Sequence, residues 1–529
     1  MKLKKKKKVI IGGYRDLISG LPDALICHIL SFLPTKEAAS TTVLAKRWKP
    51  LLAFVPNLEF DDSFYFHPPM TYKERRKSSE DFMRFVDSVL ALKAKAQAPL
   101  NRFHVKCEDV VDQYWVLEWI PKVLKRGVLD IDLRIPTSLG YCSRSSFYTL
   151  PSNIFVSKTL VKLKIEFEDG VNIYVKGDVS LPKLKILHLD YFQTDTSTFN
   201  KLISGCHVLE ELVLINLKWN WNYLEPQPCS VIVSVPTLKR LKFCHSETFY
   251  EVEDVDEANE SVSFSFDNPN LVYLEYSDSM EDKYQQVSFD SLVEASLGLR
   301  MTPDQIVHVT CSEGFTLEPR DKNNLKKLLM GICNVKILYL SCDTLKVLND
   351  CSETIPVFNN LMQLTIEPSV EWESLPALLK NCSNLETLVF EGLHHHYTKR
   401  CDDEDGCLCK CPDDCGGNVI RNCLLSSPVK VLKILKFGGI CDDDEGVETQ
   451  SEQVKHFLKT MPNLEQMILY YDTPNDQDVM KVCKQLQKLR RVASAKCNVK
   501  IISDNLSLSS TMSTKRGRRR YFSGFKNLR

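Results

Sequence analysis

The sequence predicts an α/β chain in two parts, a three-helix unit near the N-terminus and then a solenoid of parallel strands joined by helices. Three observations predict it. Residues 18–52 carry more apolar surface than so short a segment can bury by itself. From about residue 100 onward one apolar spacing returns again and again. Its clear copies recur at separations near 25 residues, a period that marks stacked strand-and-helix units.

The helical unit opens at Leu21-Pro22-Asp23. A proline is tolerated in a first helical turn, where its missing N–H would be unpaired anyway, and Asp23 suits the positive end of the helix dipole. The apolar residues that follow fall on two stripes, Leu25/Ile29/Phe32 and Ile26/Leu30/Leu33. One stripe can face the unit's own core, so the other wants a partner. Pro34 ends this helix, and Thr35 is expected to cap the next with Glu37 in its first turn. Leu44, Trp48, Leu51 and Leu52 continue the helical spacing, and Pro50 should kink or end the last helix close to Lys49.

The repeat spacing is apolar, two variable positions, apolar, one variable position, apolar. Its clear copies are Leu160/Leu163/Ile165, Leu184/Leu187/Leu189, Leu209/Leu212/Leu214, Leu238/Leu241/Phe243 and Leu271/Leu274/Tyr276. They continue as Val335/Leu338/Leu340, Leu361/Leu364/Ile366, Leu385/Leu388/Phe390, Leu432/Leu435/Phe437 and Leu464/Met467/Leu469. Weaker copies stand at Leu100/Phe103/Val105, Val128/Ile131/Leu133 and Leu292/Ala295/Leu297. Each unit offers a short strand with inward apolar residues, and stacking builds the core that no single unit could form. Between strands, residues 196–212 and 372–388 read as helix then turn. The expected result is a horseshoe of leucine-rich repeats with strands on its concave face. Unrelated βα units in a doubly wound sheet are the alternative, which does not demand this recurrence. Recognition would fall to exposed strand positions such as Lys185, His188, Glu211, Lys239, Tyr273, Glu275 and Gln363, each of which could also be ordinary solvated surface.

The strings Leu21-Pro22-Asp23, Ile29 to Ala39 and Val43-Leu44-Ala45-Lys46-Arg47-Trp48 resemble the F-box of plant F-box/leucine-rich-repeat proteins. Farther on, Cys423 to Ser427, the strand Val429 to Phe437, a helix around Val454 to Lys459 and Pro462-Asn463-Leu464-Glu465 resemble the FBD region that follows repeats in that family. The resemblance implies a substrate-recognition subunit of a Skp-cullin-F-box ubiquitin ligase, with no chemistry of its own and no cofactor. The F-box would bind the Skp-type adaptor, and through it cullin, while the repeats bind a protein substrate. It also implies adaptor-facing residues Leu21, Pro22, Ile29, Leu33, Val43, Leu44 and Trp48. Internal packing of the three-helix unit is the alternative for each, and a non-degradative repeat scaffold is the alternative for the whole chain.

The organisation expected is a basic tail at 1–13, an F-box at 14–62, a helical connection at 63–99, repeats at 100–422, an FBD-like region at 423–503 and a basic tail at 504–529. The 529 residues hold 68 bases and 68 acids, but six cations fall in the first eight residues and seven in the last fifteen. The chain between them therefore carries thirteen more acids than bases, which argues against a broad nucleic-acid surface. The basic ends read as solvated tails or as nuclear-targeting signals. With no secretory signal and no apolar run of about 20 residues, the expectation is a soluble protein of nucleus or cytoplasm, without a membrane partner. The 20 cysteines are read as reduced thiols, several of them buried in apolar patterns, such as Cys206, Cys333 and Cys382.

Residues 394–423 gather six cysteines and three histidines. Their spacing lacks the paired C-x2-C knuckles of a structural zinc site, so an acidic insertion between repeats is preferred to a metal centre. The acidic runs at Asp402 to Asp405 and Asp442 to Glu445 put a cysteine at the first ligand position of any calcium loop. Phosphate loops, nucleophile elbows and H-E-x-x-H sites are missing from the sequence.

Overall fold

A computed structural model describes residues 20–63, 71–108, 111–136, 148–175, 177–219, 229–245, 262–281, 283–311, 317–367, 372, 374–393, 423–437, 447–471 and 497–503. The chain divides into two compact units, residues up to 275 with 281–291, and residues 276–280 with 292 onward.

The first unit begins with helices α1 (Asp23–Leu30), α2 (Thr35–Ser40) and α3 (Trp48–Leu51), with 3-10 turns at Thr41–Val43 and Leu52–Phe54. Ile26, Leu30, Ala38, Trp48, Leu51, Leu52 and Val55 make one buried cluster, and Leu21 and Leu33 pack against it. The second of the two apolar stripes is thus the one that faces inward. Pro22 stands just before α1 and its carbonyl accepts from the amides of Leu25 and Ile26. Two expectations need correction. Thr35 does not cap α2, because its buried hydroxyl accepts from the Glu59 amide at 2.7 Å. Pro50 does not end a long helix near Lys49, because α3 only starts at Trp48. Pro50 then lies in the first turn, where no intrahelical N–H is needed.

The strand ladder starts earlier than residue 100. Val55 is buried just before β1 (Asn57–Asp61), and Leu58 and Phe60 are buried on it; β1 pairs in parallel with β2 (Arg102–Lys106). The segment 63–99, expected as a connection, contains α4 (Tyr72–Ala96), opened by a reciprocal capping box between Thr71 and Glu74 and closed by Gln97 at φ 48°. After β2 come α5 (Gln113–Leu124), β3 (Asp130–Ile135), β4 (Tyr148–Thr149), β5 (Lys162–Asn172), β6 (Ile186–Thr194), α6 (Thr196–Ser204) and β7 (Glu211–Trp219). They are followed by β8 (Cys229–Val233), β9 (Arg240–Cys244), β10 (Val262–Asp267), β11 (Tyr273–Ser279), whose last four residues fall in the second unit, and β12 (Lys283–Ser288). The ladder β1-β2-β3-β5-β6-β7-β9 is parallel throughout, and β4 pairs beside β5.

A second parallel sheet, β12-β10-β8, was not read from the sequence. Its alternating segments, such as Val262–Asp267, replace helices in the later repeats of this unit and pack Phe264 against Phe243 at 5.4 Å between ring centres. Asn200 of α6 closes the free side of β8. Its amide donates to the Ser230 carbonyl at 2.8 Å and its oxygen accepts from the Ile232 amide at 3.0 Å.

The second unit carries β13 (Glu294–Arg300), α7 (Pro303–Cys311), α8 (Pro319–Gly331), β14 (Ile337–Leu340), α9 (Cys342–Asn349), β15 (Gln363–Ile366) and α10 (Leu375–Lys380). It continues with β16 (Thr387–Phe390), β17 (Val431–Phe437), α11 (Val447–Thr460), β18 (Gln466–Tyr471) and β19 (Asn498–Ser503). These seven strands pair in sequence order, all parallel. Trp372, Phe390 and Phe457 stack beneath them with ring centres 5.1 to 6.4 Å apart. In β17 the inward frame is Val429/Leu432/Ile434 rather than Leu432/Leu435/Phe437, since Leu432 pairs with Leu388 and Met467 while Leu435 is half-buried. Six apolar residues in the nine positions from Val429 to Phe437 offered both frames.

Candidate functional site

Helix α1 presents its outward stripe to solvent. Leu25 and Ile29 lie one turn apart on the same side, both exposed, and Phe32 follows at 74% exposure with its ring edge-on to His28 at 4.8 Å. The segment between α2 and α3 adds Val43 at 86% and Leu44 at 71% exposure. Arg47 fastens this segment to α1, donating from Nη2 to the Leu21 carbonyl at 2.8 Å and from Nε to the Asp23 carboxylate at 2.8 Å. Large apolar side chains left in water over a packed helical unit make this the candidate contact surface. Their chemistry is contact and exclusion of water, not proton or group transfer.

Of the seven residues read as adaptor-facing, Pro22, Ile29, Val43 and Leu44 are exposed. Leu21 and Leu33 are half-buried on the unit's own core, and Trp48, at 5% exposure, belongs to that core. Trp48 therefore backs the surface rather than forming it. Leu25 and Phe32 belong with the exposed group, and the two-stripe spacing of α1 was the signal that marked them.

A second surface lies on the open side of the strands in the first unit, where the variable repeat positions align in rows. One row runs Asp132, Lys164, His188, Val213, Lys242 across β3, β5, β6, β7 and β9. The next runs Arg134, Glu166, Asp190, Ile215, Cys244 over the same strands. Lys242 pairs with Glu275 at 3.0 Å, and Arg240 lies 4.1 Å above the Tyr273 ring. Burial, with Lys164 beside it, pushes the His188 imidazole down to about 4, so it is neutral at pH 7. Burial, reinforced by Glu166, pushes the Asp190 carboxyl up to about 6. Lys185 and Lys239, at the strand entrances, are both tied to Glu210. In the second unit Glu391 is likewise raised by burial on the open side.

Among the described residues no group of three or more His, Cys, Asp or Glu side chains is arranged to hold a metal ion. The Cys/His-rich segment 394–422 lies outside the described residues, as do both basic tails. Cys206 and Cys382 are fully buried, their thiols pushed up to about 12 by burial, whereas Cys333 is only partly covered. No described helix is long and apolar enough to cross a membrane.

A three-helix unit with an unclaimed apolar face, followed by parallel-strand repeats, defines the class of F-box proteins with leucine-rich repeats. The F-box domain family matches residues 18–58, and the family described as "FBD-associated F-box protein At5g56370, LRR repeats" matches residues 116–265. The chain is 66% identical to the putative F-box/LRR-repeat protein At5g41840 of Arabidopsis thaliana, over 97% of its own length and 99% of the relative's. It is 62% identical to the putative F-box/LRR-repeat protein At4g00320 of the same plant, over 96% and 99%. The putative F-box/FBD/LRR-repeat protein At3g59240, also of Arabidopsis thaliana, is 47% identical over 93% and 90%. The chain belongs to the plant F-box/LRR-repeat family.

Proposed function

We propose that this chain is the substrate-recognition subunit of a Skp-cullin-F-box ubiquitin ligase, acting in nucleus or cytoplasm and performing no chemistry itself. The observation that carries the reading is the exposed apolar face of Leu25, Ile29, Phe32, Val43 and Leu44 on an otherwise packed unit. Fully covering one such side chain is worth roughly 1.5–3 kcal/mol, so the face offers on the order of 10 kcal/mol against the cost of association. The repeats would then hold a substrate close to activated ubiquitin, and catalysis by the complex would gain from proximity.

The test is affinity capture under proteasome inhibition, comparing the intact chain with a Val43→Asp/Leu44→Asp variant. Adaptor and cullin should disappear from the variant's capture while substrates remain. Unchanged adaptor capture by the folded variant sinks the assignment. A substrate whose lifetime ignores loss of the F-box would instead indicate a scaffold.

A further inference from the structure

Resting on the substrate-receptor reading, a specific recognition chemistry follows from the row Asp132, Lys164, His188, Val213, Lys242. Lys164 and Lys242 stand three ladder steps apart, about 14 Å between strands at ~4.8 Å each. Their flexible stems let both ammonium groups lean inward over His188 and Val213. Among the described residues Lys164 has no ion-pair or hydrogen-bond partner, and the buried Nε2 of His188 has no hydrogen-bond partner. The neighbouring acids are differently placed, Glu166 with Arg134 at 3.6 Å and Asp190 with the Asn216 amide at 3.4 Å. Lys242 is shared with Glu275 at 3.0 Å, so the unmet demand, at Lys164 and His188, is for an acceptor that carries negative charge. Ile186, Val213 and Ile215 point to the same side and give the acceptor an apolar floor.

The backbone is also shaped here. Gly170, Tyr191 and Asn216, on three successive strands, take left-handed φ values of 101°, 50° and 52°, and the pairing of β5 with β6 shifts between Glu166 and Val171. Breaks of this kind re-aim side chains and gather where function needs a fixed geometry.

We propose that strands β5, β6, β7 and β9 dock an extended substrate segment through one anionic side chain, held between Lys164 and Lys242 with His188 Nε2–H donating to it. Aliphatic residues beside the anion cover Ile186, Val213 and Ile215. The anion is a carboxylate or a phosphoryl group, which share this chemistry.

The experiment is selection of phage-displayed 12-residue peptides on the full chain. Winning peptides should carry Asp or Glu beside aliphatic residues. Resynthesised with Glu, phosphoserine or Ser at that position, they distinguish the two anion sources by fluorescence anisotropy. Lys164→Glu/Lys242→Glu should weaken the acidic peptide at least tenfold and shift selection toward Lys and Arg, whereas Lys201→Glu on α6 should leave it unchanged. Circular dichroism melting confirms that the variants fold, and His188→Gln, which keeps a donor, should lose less affinity than His188→Leu. No enrichment, basic or neutral winners on the intact chain, or unchanged binding by the folded double variant overturns the proposal. Adaptor capture by the double variant reads the F-box separately, so failure of this site leaves that measurement standing.

Discussion

The ammonium of Lys93 donates to the Val55 carbonyl at 2.7 Å, across the junction between the helical unit and the first repeat. The same nitrogen reaches the Ala53 carbonyl at 2.9 Å and that of Pro99 at 3.1 Å, and the residue is 1% exposed. One buried charge thus gathers three carbonyl oxygens, two from the turn at Leu52–Val55 and one from Pro99 after α4, where each would otherwise be left unpaired.

Lys93→Met should lower stability by on the order of 3 kcal/mol, since the apolar stem is kept while three acceptors lose their donor. Burial, with Arg126 beside it, pulls the Lys93 amine down from its ordinary value to about 8. Its folded value lies below its unfolded one, so the unfolded chain binds more protons between about pH 8 and 10.5. On this group's account stability rises with pH through that window. Urea unfolding at pH 7 and 9.5 checks both points, and the advantage of wild type over Lys93→Met should widen at the higher pH.

The two faces of α1 should respond oppositely to substitution. Ile26 is fully buried, so Ile26→Ala should cost about 2–4 kcal/mol and be visible in thermal unfolding. Phe32→Asp, on the solvent side, should change stability by less than about 0.5 kcal/mol while weakening capture of purified adaptor more than tenfold. A large stability loss from Phe32→Asp would mean that the ring is packed rather than presented.

Gly205 follows α6, and its carbonyl accepts from the Leu181 amide at 3.1 Å. A Cβ there would stand 2.7 Å from both the Val179 Cβ and the Val179 carbonyl oxygen. Backbone cannot yield as a flexible side chain would, so Gly205→Ala should destabilise by about 1–3 kcal/mol. Gly177, whose added Cβ would meet nothing within 4 Å, serves as the neutral comparison in the same melting assay.

The repeat strands were legible because inward positions at fixed spacing repeat regardless of what the loops do, so Leu163, Leu187 and Leu212 find their ladder neighbours by pattern alone. The pattern also lay in Val55/Leu58/Phe60, hidden by the helical spacing that runs up to Leu52. The sheet β12-β10-β8 was not legible, since helices were expected on that side and only pairing between distant segments identifies short strands there. On α1 the periodicity separated buried from exposed residues, but it could not assign Trp48, whose burial depends on how α3 folds back onto Ile26 and Leu30. His188 and Asp190 were ordinary surface letters in one dimension. Their altered protonation comes from burial and from charges 24 to 56 residues away, Glu166, Lys164 and Lys242 among them, and only the ladder brings these together.

Those neighbours make binding of an acidic peptide pH-dependent in a stated direction. Asp190 faces Glu166 on β5, the Asn216 amide on β7 and Lys242 on β9, and burial and Glu166 raise its carboxyl to about 6. As pH falls from 7.5 to 5.5 it takes up a proton, which removes a negative charge beside the peptide's anion. His188, at about 4, stays neutral throughout, and a peptide glutamate stays largely ionised. Affinity should therefore increase roughly three- to tenfold over this range, a Coulomb effect at close quarters damped by solvent. Because the folded value exceeds the unfolded one, protonated Asp190 also favours the folded state, and that contribution is lost as pH rises through 6. Asp190→Asn should bind at pH 7.5 as tightly as wild type does at 5.5, with a flat profile and a higher melting temperature at neutral pH. Anisotropy titrations with the selected acidic peptide at four pH values measure the profile, and a wild-type affinity that falls on acidification would contradict the arrangement of charges on β5, β6 and β9.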